Sequence, residues 1–590
     1  MRAKSRKTNG YIIYAVAGTN TISFAIDFRK ANTKGLLGFA IERVNQFTGE
    51  RKFLDGFKVF KDVIKNPTPG LVVSTHKFPV QSFVWDDFGC YHNTSYTYYF
   101  FPVKGDPKNL KYESKIELSI RTEPLYAKGE SDVFFNRGVA SSQVYSNKFF
   151  NLAPDKMTNE EMKAKALSWL SRDLDNAILK FIENTKKGES LLGCFYEFHY
   201  APVVEAFAQA IKRGAKVQII VDAKENGDGD KEDFPRVENL NAIKEAGIPL
   251  TKSKGIIFQR KARPSAIQHN KFIVLLDKNK KAKEVWTGST NISMGGIHGQ
   301  TNVGHWIRNK SVSEKFSKYW ELLKSDPGGK KGEDRSTIMK KNEKFRIAVE
   351  DLQANIDFNS WDQIPKGMTS VFSPRSGRSM LEMYARMFDK AESLSCITLA
   401  FGINEVFKEY LKDNTSSDHL SFMLLEKPDK KGTRSEKPFI NINASQNVYK
   451  SFGAAFDDEL YNWTKEITTR HLGLNVHVAF VHSKFMLIDP LGSDPIVVTG
   501  SANFSEPSTN ENDENMVIIR GDKRVADIYY TEFNRLFNHY YFRSVYQLAK
   551  NGPSNDGFSA FLYKDDTWLE KYKKGKLRYK RVDVVSKMDV

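Results

Sequence analysis

Cysteine is scarce in this chain of 590 residues: only Cys90, Cys194 and Cys396 occur, far apart and odd in number. They can form neither a disulfide framework nor a zinc-ligand cluster, and they suit a reducing cytoplasm. Long apolar runs are missing too. None approaches the roughly 20 residues that span a bilayer, which excludes an integral membrane protein built on helices. Histidines with Cys or acidic companions at metal-ligand spacing are also lacking, so no metal and no cofactor is expected.

Positive charge, by contrast, is plentiful. Lys and Arg number 89 against 71 Asp and Glu, giving a net charge of +18 and a pI near 9.3. The excess favours anionic partners, nucleic acid or anionic lipid, and says nothing about fold. Apolar residues at 40% and aromatics at 13% supply several packed cores and exclude wholesale disorder. At roughly 150 residues per domain, three or four units are expected. Arg2, Lys4, Arg6 and Lys7 ahead of the apolar residues 11–16 have the opening of a secretory signal. The run is short, however, and residues 22–26 continue it in strand fashion, so strands are expected there.

Residues 1–123 read as an all-β accessory region. Short runs of Val, Ile, Phe and Tyr alternate with turn signals such as Asn66-Pro67-Thr68-Pro69-Gly70 and Lys104-Gly105-Asp106-Pro107. Residues 96–103 loosely resemble the tyrosine-rich penultimate strand of a fibronectin-type or immunoglobulin-like sandwich. No catalytic grouping lies here, and the region is read as a scaffold or a holder of an unidentified partner.

After Thr122-Glu123-Pro124 the texture turns to alternating helices and strands, the grammar of an α/β fold. Gly214 is placed as the left-handed cap of a helix, and residues 217–222 read as a buried strand. The same grammar then repeats. Val133-Phe134-Phe135-Asn136-Arg137 is answered by Val371-Phe372-Ser373-Pro374-Arg375, and residues 189–194 by residues 392–396. Each is followed by a helix, a strand, a His-x-Lys segment and a closing aromatic helix, over 316–323 and 528–537. Matches in one order imply duplicated domains. The expected division is a first α/β domain over 130–325, a linker over 326–360 and a second α/β domain over 361–550. A basic tail over 551–590 follows, read either as a solvated terminus or as an arm for phosphates with tyrosines to stack on bases.

The repeat carries the chemistry. Gln268-His269-Asn270-Lys271 runs to Asp277 and is followed by Gly288-Ser289-Thr290-Asn291. Val481-His482-Ser483-Lys484 runs to Asp489 and is followed by Gly500-Ser501-Ala502-Asn503. In extended chain, residues i and i+2 face one side, so each His projects beside its Lys. A Gly-Ser turn can bring the Asn beside them. Two such sets face to face make one pocket of two imidazoles, two ammoniums and two amides.

These residues resemble the signature of the phospholipase D superfamily: His-x-Lys, four spacers to Asp, then Gly-Ser or Gly-Gly and Asn. The second copy fits as written, including Asp489; the first has five residues between Lys271 and Asp277. The resemblance covers about 130–550 and implies two pseudo-symmetric α-β-α domains. It implies a phosphodiesterase in which His269 attacks phosphorus, His482 acts as acid and then base, and Lys271, Lys484, Asn291 and Asn503 neutralise the phosphate. Glu514 stands where members often carry an acidic group that orients a histidine; its alternative is a solvated loop carboxylate. Thr301 is matched to it in the first half. Ser289 and Ser501 are given supporting roles as turn formers. His199 is expected to be structural, and His298 and His305 have no ligand companions.

The pattern determines reaction type more sharply than substrate. A metal-independent nuclease suits the net charge of +18. A phospholipase D or phosphatidyltransferase would use the same site on a lipid, with the basic surface meeting anionic membrane. A noncatalytic nucleic-acid- or lipid-binding protein is disfavoured by two complete His, Lys and Asn sets.

Overall fold

The computed structural model of the chain describes residues 1–68, 71–138, 143–150, 152, 154–224, 235–354, 356–415, 417–429, 439–453, 480–550 and 561–590. The amino-terminal apolar runs are strands. Arg2–Lys4, Ile12–Ala17, Ile22–Asp27 and Val84–Asp87 form one antiparallel sheet. A second antiparallel sheet is centred on the long strand Ser95–Asp106, flanked by Gly38–Asn45 on one side and Ile116–Arg121 on the other. Alternation decides which faces meet. Tyr96, Tyr98 and Phe100 are fully buried and share a core with Ile13, Phe24 and Ile26 of the first sheet. Phe24 meets Tyr98 edge-on at 4.7 Å between ring centroids.

The described part of the basic tail is docked rather than a free arm, while Lys573, Lys574, Lys576 and Arg578 stay exposed to solvent. Residues 551–560 lie outside the described ones, but 561–590 pack on the sandwich. Trp568 donates its indole N–H to the Leu36 carbonyl at 2.8 Å, and the Tyr572 hydroxyl accepts from the Phe83 N–H at 3.1 Å. Both rings are buried, so Tyr572 cannot stack on a base. The reason is legible afterwards: Trp568, Leu569, Tyr572 and Val582 are dispersed among the lysines and together complete the sandwich core.

Beyond Pro124 two mixed seven-stranded sheets follow, built in one order. The first contains β1 (Ser131–Phe135), β2 (Ser190–Phe195), β3 (Lys216–Asp222), β4 (Ile257–Arg260), β5 (Lys271–Leu276), β6 (Ala282–Gly288) and β7 (Val303–Ile307). The second contains β8 (Gly367–Ser373), β9 (Leu394–Leu399), β10 (Leu420–Leu425), β11 (Val448–Phe452), β12 (Phe485–Ile488), β13 (Ile496–Gly500) and β14 (Glu514–Arg520). Their spatial orders are β1-β7-β6-β5-β2-β3-β4 and β8-β14-β13-β12-β9-β10-β11. The central strands are buried throughout, as sheets covered on both faces require. The helix Ala201–Lys212 ends before Gly214, whose φ of +87° supplies the left-handed turn into β3.

The two sheets share a seam of aromatic side chains. Phe135 of β1 and Phe485 of β12 both meet Tyr529 at 5.1 Å, and Tyr319 stacks on Phe372 at 4.5 Å. Tyr319 and Tyr529 come from the helices Lys310–Lys324 and Lys523–Lys550, which close the two halves. The segment expected as a linker holds the helix Arg335–Asp351, capped by the Asp334 side chain accepting from the Thr337 N–H. Phe345 and Val349, one turn apart, are buried in the seam and anchor that stretch to the core.

Candidate active site

β5 and β12 each run antiparallel to the first strand of a parallel trio, so their starts lie at the carboxyl ends of β2 and β9. That edge is where open α/β sheets leave a crevice. His269 sits two residues and His482 three residues before the strands proper, on segments held by carboxylates. Asp222 at the end of β3 accepts from the Gln268 N–H at 3.1 Å. Glu426, just after β10, accepts from the Val481 N–H at 2.7 Å and the Phe480 N–H at 3.2 Å. The halves then grip each other reciprocally. The His269 N–H donates to the Asp513 carbonyl at 3.0 Å, and the Thr301 N–H to the Phe480 carbonyl at 2.7 Å.

The Gly-Ser pairs have a steric reason. A Cβ on Gly288 would lie 2.2 Å from the Val303 carbonyl oxygen, and one on Gly500 2.2 Å from that of Asn515. Glycine lets β6 and β13 pass their neighbours so closely that the serine hydroxyls reach across. Ser501 Oγ donates to Glu514 Oε2 at 2.6 Å, and Ser289 Oγ to Asn302 Oδ1 at 2.8 Å.

The two imidazoles are brought together, with ring centroids 6.4 Å apart and planes inclined at 75°. Lys271 and Lys484 flank them; each Nζ donates to the carbonyl of its own motif histidine at 2.5 Å. His269 Nδ1 lies 2.8 Å from Glu514 Oε1, contributed by the other half. Glu514 is thus fully buried rather than a solvated loop carboxylate. Its counterpart is not Thr301 but Asn302, whose Oδ1 lies 2.9 Å from His482 Nδ1. Thr301 Oγ1 instead accepts from the His482 backbone N–H at 3.2 Å. The matching was one residue off. The serine-to-partner separation is 13 residues in both halves, and that spacing was the available signal.

Burial dominates the proton affinities. It lowers both imidazoles well below the ordinary histidine value, and the two ammoniums push them the same way. Lys271 is brought down to about 8 by desolvation, against the pull of Glu514 and Glu197, and Lys484 is lowered well below its ordinary value by desolvation and by Lys271. Desolvation lifts the Glu514 carboxyl to about 8, opposed by Lys271, the Ser501 hydroxyl and Lys484. An anion entering the pocket would be met by two ammoniums whose charge it stabilises.

Asn291 and Asn503 each leave a buried Oδ1 without a partner. Asp489 lies away from the imidazoles: its Oδ1 accepts from Ser393 N–H at 2.7 Å and Leu394 N–H at 3.1 Å, fixing the start of β9. Asp277 instead folds a turn, accepting from Asn279 and Lys281. The differing spacer has a local meaning. His298 bonds the Leu167 carbonyl and the Tyr200 hydroxyl, while the ring nitrogens of His305 are buried without a partner. The His199 backbone N–H bonds the Ile292 carbonyl. Sequence reasoning missed Asp222, Glu426, Asn302 and Tyr196; the Tyr196 ring lies 5.2 Å from that of His269 and 5.5 Å from Lys271 Nζ. Among the described residues no group of three or more His, Cys, Asp or Glu could hold a metal ion, and no helix is long and apolar enough to cross a membrane.

Two α/β halves thus meet on paired imidazoles and ammoniums, with the ring centroids 6.4 Å apart. The chain carries a phospholipase D-like domain in two segments: residues 178–323 and 444–537 match the family described as "Cardiolipin synthase, PLD-like domain". A comparison with curated proteins gives no match. Among solved structures, polyphosphate kinase from Porphyromonas gingivalis is similar at 9% identity and a TM-score of 0.36, over 59% of this chain and 43% of that one. This chain therefore spans less than half of that protein. Phosphatidylserine synthase from Haemophilus influenzae Rd KW20 is similar at 10% identity and a TM-score of 0.41, over 71% of this chain and 94% of that one. The phospholipase D family member Nuc from Salmonella typhimurium is 26% identical with a TM-score of 0.19, over 25% of this chain and 83% of that one.

Proposed function

We propose that this chain cleaves phosphodiester P–O bonds by double displacement through a phosphohistidine, without a metal, and that its substrate is a nucleic-acid strand. The observation that carries the reaction is the pair of imidazoles 6.4 Å apart with unequal Nδ1 partners, a carboxylate on His269 and an amide on His482. Glu514 Oε1 accepts a hydrogen bond from His269 Nδ1–H, leaving the Nε2 lone pair free as nucleophile. That lone pair attacks phosphorus while the leaving oxygen departs with a proton from His482 Nε2. Lys271, Lys484, Asn291 and Asn503 hold the nonbridging oxygens as charge moves onto them. In the second step water gives a proton to His482 Nε2, its oxygen bonds phosphorus, and the P–N bond returns its electrons to His269.

A net charge of +18 supports the polyanion as substrate. Phosphatidyl transfer is the second reading, favoured by the cardiolipin synthase description of the matching family. It keeps every step and replaces water by an alcohol. Purified protein in EDTA, offered single- and double-stranded nucleic acid and phospholipid vesicles, tests both. Nucleic-acid cleavage with an acid-labile phosphoenzyme on His269 is expected. Headgroup exchange without nucleic-acid cleavage would move the assignment to lipid, and activity only with a divalent ion would refute the metal-free course.

A further inference from the structure

The first half has an amide where the second has a carboxylate, and the hydrogen bonds around that amide leave it one orientation. Asn302 is fully buried. Its Nδ2 donates to the Gly296 carbonyl at 2.8 Å, so Oδ1 faces the other way. There Oδ1 accepts from Ser289 Oγ at 2.8 Å and lies 2.9 Å from His482 Nδ1. Ser289 Oγ in turn accepts the Val303 N–H at 3.1 Å, which leaves its own proton for Oδ1. Turning the amide over would set Oδ1 against the Gly296 carbonyl oxygen. An amide oxygen only accepts, so His482 must carry a proton on Nδ1.

We propose that Asn302 is a positioning residue that holds His482 as the neutral Nδ1–H tautomer, so that a charged leaving-group acid needs a second proton on Nε2 and unactivated diesters are cleaved best in acid. This rests on the mechanism proposed above. A neutral amide fixes the ring without stabilising imidazolium, whereas a carboxylate at the same place would do both. Among the described residues no other group supplies the missing charge. Facing His482 are the Lys484 and Lys271 ammoniums and the His269 ring, all of which disfavour a second charge; only a hydrogen bond with the Ser289 backbone favours it. Glu514 and Glu197 act on the lysines, and Glu426 is engaged by the backbone of Phe480 and Val481. The first step consumes the proton on His482 Nε2, and the second returns one from the attacking water, so the charged form is regenerated only while turnover continues.

The test is Asn302→Asp. The opposite half already seats a carboxylate against a serine hydroxyl in the equivalent position, so the substitution copies an arrangement this fold accommodates. With a dialkyl phosphodiester, or the natural substrate once known, kcat/KM of the wild type should fall as pH rises above the depressed value of His482. In Asn302→Asp that limb should move up by about 1–3 pH units, the usual effect of an adjacent carboxylate, giving tenfold or more at pH values above the wild-type limb. With a nitrophenyl diester, whose leaving group needs no proton, neither protein should show the limb. A limb unchanged by Asn302→Asp, or shifted equally for both substrates, would overturn the proposal. Side-chain ¹⁵N NMR of histidine-labelled wild-type protein gives an independent reading: the Nδ1–H tautomer of His482 is expected, and the Nε2–H tautomer refutes it. That measurement stands even if His269→Ala retained activity and the phosphohistidine course were lost.

Discussion

His269 leans on a carboxylate and His482 on an amide, although the chain around both is folded alike. Sheet order, glycine contact, serine hydroxyl and lysine-to-carbonyl bond recur in each half. What differs is the one side chain behind each imidazole. Duplication supplies a symmetric cage, and a double displacement needs an asymmetric pair, because one ring must give electrons to phosphorus while the other handles protons. The difference teaches that the two imidazoles are told apart by their Nδ1 partners and not by their own motifs.

The sharpest break of that comparison is at the histidines. His269→Ala should lower turnover on the order of 10⁴-fold or more on every diester, since none of the described residues nearby replaces the covalent route. His482→Ala should lose roughly 10²–10⁴-fold on an unactivated diester and recover most of it on a nitrophenyl diester. Rescue of His269→Ala instead would exchange the two roles. Next come the lysines. Lys484→Met and Lys271→Met should each cost about 10²–10³-fold in kcat, as loss of one preorganised donor to the phosphate does, and kinetics of both variants measure whether the cage is symmetric in charge. A loss confined to KM would show that the ammoniums bind the ground state only.

Glu514→Gln should have a smaller effect, about 10–100-fold in kcat, typical of a partner that orients another group. It also has a stability signature. With the Glu514 carboxyl held at about 8 against an ordinary 4.5, the native state binds more protons than the unfolded chain between those values. Stability from this group therefore falls as pH rises across that window, and the glutamine variant should show a flatter profile in pH-dependent urea denaturation. Equal slopes would place the carboxyl at its ordinary value.

The smallest effect compares His305 with Val517, its equivalent in the second half. His305 is buried with both ring nitrogens unpartnered and its proton affinity lowered to about 3 by burial, Arg524 and Arg308. The unfolded chain takes up the proton that the native state refuses, so stability is lost as pH falls from about 6.5 towards 3, by about 1.4 kcal/mol per pH unit. His305→Val, installing the other half's residue, should remove that component of acid sensitivity without changing activity at neutral pH. A midpoint of acid unfolding that does not move would show that other carboxylates and histidines govern it.

Much of this was legible in one dimension. His269, Lys271 and Asn291 recur as His482, Lys484 and Asn503 at separations that differ by a single residue, because a strand and a glycine crossing impose them, and local backbone geometry is written locally. Asn302 was within reach through its 13-residue distance from Ser289, the same as Ser501 to Glu514. Asp222 and Glu426 were not, since each acts on backbone N–H groups more than 40 residues away and has no motif of its own. The tail misled for a different reason: lysine and arginine dominate its composition, while the few apolar residues that dock it are spaced to suit a sandwich built from the other end of the chain.

By itself, then, the sequence determined the duplicated α/β plan, the β-rich amino-terminal region and the pairs of His, Lys and Asn, because periodicity and turn chemistry act over a few residues. Tertiary structure decided which carboxylate or amide stands behind which imidazole and that a helix fills the stretch between the halves. It also decided that the basic tail completes the sandwich core. Those outcomes depend on which distant surfaces are complementary, and burial then reset the proton affinities of groups whose sequence neighbours give no hint of it.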